Sequence, residues 1–257
     1  MQIKDSVAII AGGASGMARA TAELLAAEGA HVAIFDLAKS AGEEVASQLP
    51  GDAIFRAIDI MDYEGVGEAI DETTGHFGAL HIGVNLAGGQ IGRPARTFSK
   101  KGPHDLGNFQ KTLELNTVGS FNFLRLCAEQ MSKNEPNEDA ERGCVISTAS
   151  IAAFEGQIGQ VSYAAAKSAI VAMSFVAARD LGNIGVRVNA IAPSLFNTGL
   201  VQQAPQEAKD ALVAGAAFPL RMGEPKEYAL LAKAIIENPM LNGGTIRLDA
   251  GQRFGPR

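Results

Sequence analysis

"VAIIAGGASGMARA", residues 7–20, is the stretch on which the fold turns. An unbroken apolar run, "VAIIAG" (7–12), has the length and β-branched content of a fully buried strand. A small-residue turn follows, and from residue 16 the pattern becomes that of a helix, 16–29. Gly12 and Gly16 let such a turn bring backbone N–H groups against a pyrophosphate at the helix N-terminus, and the small Ala18 lets the helix pack closely on the strand. The spacing is GxxxGxA rather than GxGxxG, and any strand–turn–helix needs glycines for steric reasons. Alone, the turn is a weak signal.

The rest of the chain repeats this unit. Strand candidates recur at 31–36, 53–59, 80–87, 144–150, 186–193 and 244–251, with helix-length segments at 62–77, 108–133, 161–182 and 225–237. Seven apolar strands alternating with helices imply a mostly parallel sheet covered on both faces. Right-handed crossovers make that a doubly wound α/β Rossmann fold. No linker rich in Pro, Gly or Ser interrupts the pattern, so residues 1–257 are expected to form one domain. Two longer stretches, 89–107 and 194–218, belong over the carboxyl ends of the strands, where this fold binds ligands.

Composition narrows the function. The 257 residues are 47% hydrophobic with a net charge of -6, which offers no electrostatic reason to bind nucleic acid. Cys127 and Cys144 lack metal-site spacing, and His31, His76, His81 and His104 are scattered, so no metal is expected. No window holds 18 consecutive apolar residues, so no membrane span is expected. The first strand begins near Val7, leaving no room for a cleavable leader; a cytoplasmic location is expected, with the mitochondrial matrix as the alternative.

Asp36 ends the second strand twenty residues after Gly16, where a carboxylate binds adenosine ribose hydroxyls and repels a 2′-phosphate. Arg19 and Lys39 are expected to point away, so NAD is favoured over NADP. The plain alternative for Asp36 is a helix N-cap. Further on, "SYAAAK" (162–167) sets Tyr163 and Lys167 four apart, on one helix face. A tyrosine of pKa about 10 is a poor base at neutral pH, and a nearby cation favours its phenolate. Taken singly, Tyr163 reads equally as a half-buried helix residue, Lys167 as a solvated side chain, Ser150 as a strand-end cap and Asn116 as a backbone partner at a helix kink.

The ordered set settles these together. The glycine turn, "NLAG" (85–88), Asn116, Ser150 thirteen residues before Tyr163, "YAAAK" (163–167) and "IAPSLFNT" (191–198) resemble the short-chain dehydrogenase/reductase family over essentially the whole chain. The resemblance implies Ser150, Tyr163, Lys167 and Asn116 as the catalytic set. Tyr163 is then the general acid/base, Ser150 the hydrogen-bond donor to substrate oxygen, and Asn116 the holder of a proton-relay water. It implies cofactor contacts from Gly12, Ser15, Gly16, Met17, Asp36, Asp59, Ile60, Asn85, Ala87, Gly88, Tyr163, Lys167, Pro193, Phe196 and Thr198, and substrate contacts from Ser150, Gln157 and Tyr163.

Segments 134–136, 148–167, 177–188 and 228–249, and the insertion around "SKKGPHDL" (99–106), are similar to the family's type II 3-hydroxyacyl-CoA dehydrogenase branch, also described as acting on 17β-hydroxysteroids. That implies an acyl-CoA substrate, with a steroid or other secondary alcohol as the alternative, and a homotetramer. A dinucleotide-binding scaffold without catalysis is the alternative of a different class.

Ala11, Ala18 and Leu86 depart from the family pattern in ways that should only tune cofactor affinity, whereas Ser194 replaces a glycine in the substrate loop. Phe154, Leu195, Phe196 and Leu200 are expected to line an apolar pocket. Arg93, Arg96, Lys100 and Lys101 form a basic cluster suited to coenzyme A phosphates, or simply a solvated loop. Segment 161–182 is apolar nearly all round and needs cover beyond its own sheet, such as a second copy of the chain.

Overall fold

Alternation within the first strand builds both faces of the core. In β1 (Val7–Ala11), Ala8 and Ile10 face one layer while Val7, Ile9 and Ala11 face the other. The computed structural model describes residues 1–202 and 205–255. After β1 come α1 (Gly16–Ala27), β2 (His31–Asp36), α2 (Gly42–Gln48), β3 (Ala53–Ala57), α3 (Tyr63–Phe77) and β4 (Ile82–Asn85). A two-residue hairpin, β5 (Phe98–Ser99) and β6 (Gly102–Pro103), leads to α4 (Leu106–Leu113), a π-helical turn (Glu114–Val118) and α5 (Gly119–Met131). The chain continues through β7 (Gly143–Thr148), α6 (Val161–Asp180), β8 (Val186–Pro193), α7 (Gly199–Gln202), α8 (Gln206–Val213), α9 (Pro225–Glu237) and β9 (Thr245–Leu248).

Seven strands form one sheet in the order β3-β2-β1-β4-β7-β8-β9, every pair parallel. The order reverses between β1 and β4, so their carboxyl ends open a crevice there. Ala22 and Leu25 of α1 and Tyr228, Ala232 and Ile235 of α9 cover one face with Ile10, Ile34, Val84 and Ile146. Ile70 of α3 and Phe123 and Cys127 of α5 cover the other with Ile9, Phe35, Val145 and Val188.

The sequence-derived elements are all present with ends shifted by a few residues, as fraying dictates. Three differences are larger. The helix expected at 108–133 starts at Leu106, capped by Asp105, which accepts the Asn108 N–H at 2.6 Å, and it is interrupted by the π turn. α2 was not expected, because only Val45 and its small neighbours Gly42 and Ala46 are buried in it. The stretch 194–218, expected as loop, contains α7 and α8.

α6 is long and apolar enough, with a mean hydropathy of 1.5, to cross a membrane by composition. In the fold it packs against β8 through Ile170 and carries the buried Lys167.

Candidate active site

At the crevice, the turn after β1 is built around two glycines whose positive φ and close neighbours strain any side chain there. Gly12 has φ +79, and a Cβ there would sit 3.1 Å from the Ala87 nitrogen. Gly16 has φ +56, and its Cβ would lie 3.2 Å from Thr198 Cγ2. The turn therefore touches both the segment after β4 and the segment after β8. Ser15 stands at the N-cap of α1 with its side chain exposed and making no cap bond, so it leaves the first-turn N–H groups open. Open N–H groups at a helix N-terminus, a glycine-lined approach and a nearby carboxylate fit a dinucleotide.

Asp36 is that carboxylate. Its Oδ2 accepts the Ala14 N–H at 3.0 Å and its Oδ1 the Leu37 N–H at 2.7 Å. The helix-cap reading falls, since α2 begins at Gly42 with Ala41 as its N-cap. Arg19 is engaged by Glu23, one turn along α1, at 2.7 Å and by the Gln48 side chain at 3.4 Å.

The remaining cofactor candidates divide by what is left free. Asn85 is buried, with its amide donating to Ser120 Oγ at 3.0 Å and its oxygen accepting the Ala87 N–H at 2.9 Å; only backbone is available there. Ile60 is 4% exposed and packed against Gly119, so its side chain belongs to the core, while Asp59 is exposed. Met17 is half-buried against the core, and Pro193 ends β8 buried. Thr198 lies over Gly16, and Ala87 and Gly88 follow β4 into the crevice. The Phe196 ring is 6% exposed and packs against Gly223, at the wall of a small cavity shared with Ser194, Pro219 and Leu248.

Ser150, Tyr163 and Lys167 do converge. Ser150 lies two residues past the end of β7, and its Oγ accepts the Ala152 N–H at 3.1 Å. Burial raises the pKa of the half-exposed Tyr163 phenol, and a hydrogen bond with Ser150 partly opposes that. The phenol thus stands above its ordinary range in the free protein, opposite to the effect expected of a neighbouring cation. The geometry explains it: Lys167 Nζ lies 5.7 Å above the tyrosine ring and donates to the Thr148 carbonyl at 2.8 Å. Lys167 is 4% exposed, and burial lowers its pKa from 10.5 to about 8.

Asn116 lies at a helix kink and bonds backbone there. Within the π turn its Nδ2 donates to Gly89 O at 2.6 Å and Thr112 O at 2.8 Å, and its Oδ1 accepts the Gly89 N–H at 2.9 Å. Both Nδ2 hydrogens are committed, while Oδ1 keeps a second lone pair. The amide fixes the backbone beside Lys167: a Cβ on Gly88 would lie 2.5 Å from Asn116 Oδ1 and 3.3 Å from Lys167 Nζ.

Thr148 and Tyr228 were missed in the sequence. The Thr148 hydroxyl donates to Asn85 O at 2.8 Å, so the phenol of Tyr228, 2.7 Å away, must donate to Thr148 Oγ1. A buried tyrosine in the apolar stripe of α9 was the available signal, since its hydroxyl needs a partner.

On the substrate side, Gln157 faces Gln160, accepting its side-chain amide at 3.5 Å. Phe154 is 48% exposed, Leu195 half-buried, and the side chain of Leu200 lies outside the described ones. The insertion is tied to this loop where the Ala95 N–H donates to Gly159 O at 3.0 Å. Arg93, Arg96, Lys100 and Lys101 are exposed and make no ion pair among the described residues. Ser194 continues the sheet edge, its N–H donating to Leu248 O at 3.1 Å.

Comparison with known proteins gives the site a context. The short chain dehydrogenase family matches residues 6–209. The chain is 45% identical over 254 residues to a 3-hydroxyacyl-CoA dehydrogenase type-2 of Drosophila melanogaster, covering 99% of this chain and 100% of that one. It is 44% identical to the Homo sapiens protein of the same name, covering 99% and 97%. The crystal structure of 3-hydroxyacyl-CoA dehydrogenase type-2 from Mycobacterium avium superposes with a TM-score of 0.93 at 38% identity, covering 100% of both chains.

Proposed function

The chain belongs to the short-chain dehydrogenase family and is an oxidoreductase acting on CH–OH groups; on that premise we propose that it interconverts 3-hydroxyacyl-CoA and 3-oxoacyl-CoA with NAD. The observation carrying the chemistry is the convergence of Ser150, Tyr163 and Lys167 beside the glycine turn. The relatives' names carry the substrate class, and the basic insertion beside the Gln157 loop, without an ion pair among the described residues, suits a polyphosphate handle.

Bound in the glycine cradle, NAD supplies the hydride acceptor and, when oxidised, a positive ring that favours a nearby phenolate. The chain's own groups manage the proton. In the free protein Tyr163 carries its proton at neutral pH, ready to give it to a 3-oxo group; in the oxidative direction its phenolate takes the proton of the 3-hydroxyl. Ser150 donates to the same substrate oxygen as charge develops there. Lys167 is held in register by the Thr148 carbonyl, which the Tyr228–Thr148–Asn85 chain keeps in place. Acid–base catalysis of this kind is worth about 10²–10⁴-fold in rate.

Asp36 favours NAD, since a 2′-phosphate would meet its carboxylate. The intact catalytic set argues against a purely scaffolding role. For assembly, α6 presents Val161, Ala165, Ala172 and Val176 to solvent beside Val118 and Phe121, an apolar face suited to a second copy and to a homotetramer.

Initial rates with acetoacetyl-CoA test the reading. It expects turnover with NADH at least tenfold faster than with NADPH. Turnover only with a 17-ketosteroid would move the substrate to the alternative, and a preference for NADPH would overturn the role of Asp36.

A further inference from the structure

Glu155 lies five residues beyond Ser150 and closes the same turn, its N–H donating to Ile151 O at 3.0 Å. Its carboxylate is met from 92 residues away by Arg247 Nη1 at 2.8 Å, and it also accepts the Phe254 N–H at 3.1 Å and faces Arg253 Nε at 3.4 Å. Arg247 spends its other donors on the chain end: Nε on Asp249 at 2.6 Å and Nη2 on the Gln252 carbonyl at 3.1 Å. Its guanidinium also lies 5.3 Å over the Phe154 ring. Single exposed ion pairs hold little, but this one is half-buried and every member is shared, as in a network that fixes geometry.

The same chain end grips a second element. Gln252 is 3% exposed and its Nε2 donates to Leu212 O, near the end of α8, at 2.9 Å. The N–H groups of Ala217 and Phe218 donate to Ala250 O at 2.9 and 3.1 Å, and the Arg253 N–H to Gly215 O at 3.4 Å. Residues 249–254 thus sit between the turn that carries Ser150 and the stretch 206–218. Neither Glu155 nor Arg247 belongs to the catalytic set, so any effect they have on the reaction acts through other groups.

We infer that residues 249–254 form a clasp that sets the Ser150 turn against the α8 segment, with Glu155, Arg247 and Gln252 as its positioning residues. The clasp couples the two walls of the substrate side: loosening either end loosens both. A merely structural contact would loosen only its own neighbourhood.

Hydrogen–deuterium exchange on the intact protein reads this without reference to substrate. In Glu155→Gln, amide exchange rises at least threefold both in 150–160 and in 206–218, the latter not touched by Glu155, while 7–20 is unchanged. Gln252→Leu, cut at the opposite end, gives the same pair of increases. A rise confined to the mutated side, or an equal rise throughout the chain, overturns the clasp.

A kinetic arm rests on the acyl-CoA reading proposed above. Arg247→Met raises the KM for acetoacetyl-CoA about fivefold with NADH affinity within twofold, and Arg247→Lys recovers at least half of the loss. Equal losses in both affinities would contradict it. Should the unaltered enzyme fail to turn over that substrate, the failure belongs to the substrate reading, and the exchange experiment still decides the clasp.

Discussion

Lys167 is predicted to cost the free protein stability, and its replacement by methionine to show a pH-dependent change of sign. Its ammonium is buried and donates to the Thr148 carbonyl at 2.8 Å, and burial brings its pKa from 10.5 down to about 8. At about 1.4 kcal/mol per pKa unit, burying the charged form costs about 3 kcal/mol below pH 8. Between pH 8 and 10.5 the native state holds fewer protons at this site than the unfolded chain, so stability rises with pH across that window.

Methionine removes the charge but leaves the Thr148 carbonyl without its donor, a loss of about 1–2 kcal/mol. Lys167→Met should therefore be more stable than its parent by about 1–2 kcal/mol at pH 7, or a few degrees in Tm at about 2–4 °C per kcal/mol. At pH 10.5 it should be less stable by a similar amount. The pair is compared in a Tyr163→Phe background, which removes the neighbouring phenol, by urea and thermal unfolding without cofactor. A stability difference that stays constant from pH 7 to 10.5, or a variant less stable at pH 7, would refute the reasoning.

Arg187 is a second buried charge, at the far end of the sheet. It pairs with Glu141 at 2.8 Å and donates to the carbonyls of Ile235, Ile236 and Leu241, each at 2.8 Å. Arg187→Met should cost about 3–5 kcal/mol in unfolding free energy, and kcat per folded enzyme should stay within twofold because the active site is at the opposite edge. His81 accepts the Val7 N–H on Nδ1 at 3.1 Å, and burial lowers its pKa below 6.5. Its contribution to stability should be complete above pH 6.5 and lost as pH falls below it, a slope that urea unfolding should find absent in His81→Gln. Gly12→Val should weaken NADH binding at least tenfold by fluorescence titration, since it combines strain at φ +79 with a clash on the Ala87 backbone.

The sheet was legible because each strand carries its burial in its own letters: Val7 to Ala11 cannot be exposed on either face, and the same holds for Val186 to Pro193. Tyr163 and Lys167 were legible because helical spacing is local, and Asp36 because the unit that contains it is short. What escaped depends on distant partners. Asn116 is satisfied by Gly89, 27 residues away, and Thr148 meets Tyr228 across 80 residues. The burial of the Phe196 ring is hidden as well, because it depends on the small Gly223, which makes room for it. The depressed pKa of Lys167 and raised pKa of Tyr163 come from burial, which spacing alone does not reveal.

The central claim is that Tyr163 moves the proton, and Tyr163→Phe tests it most directly. Turnover of acetoacetyl-CoA should fall by about 10²–10⁴-fold while NADH binds within about threefold of its unaltered affinity, because the hydroxyl is the only group removed. Turnover unchanged in that variant, with NADH still bound, would contradict the account and take the proton away from Tyr163.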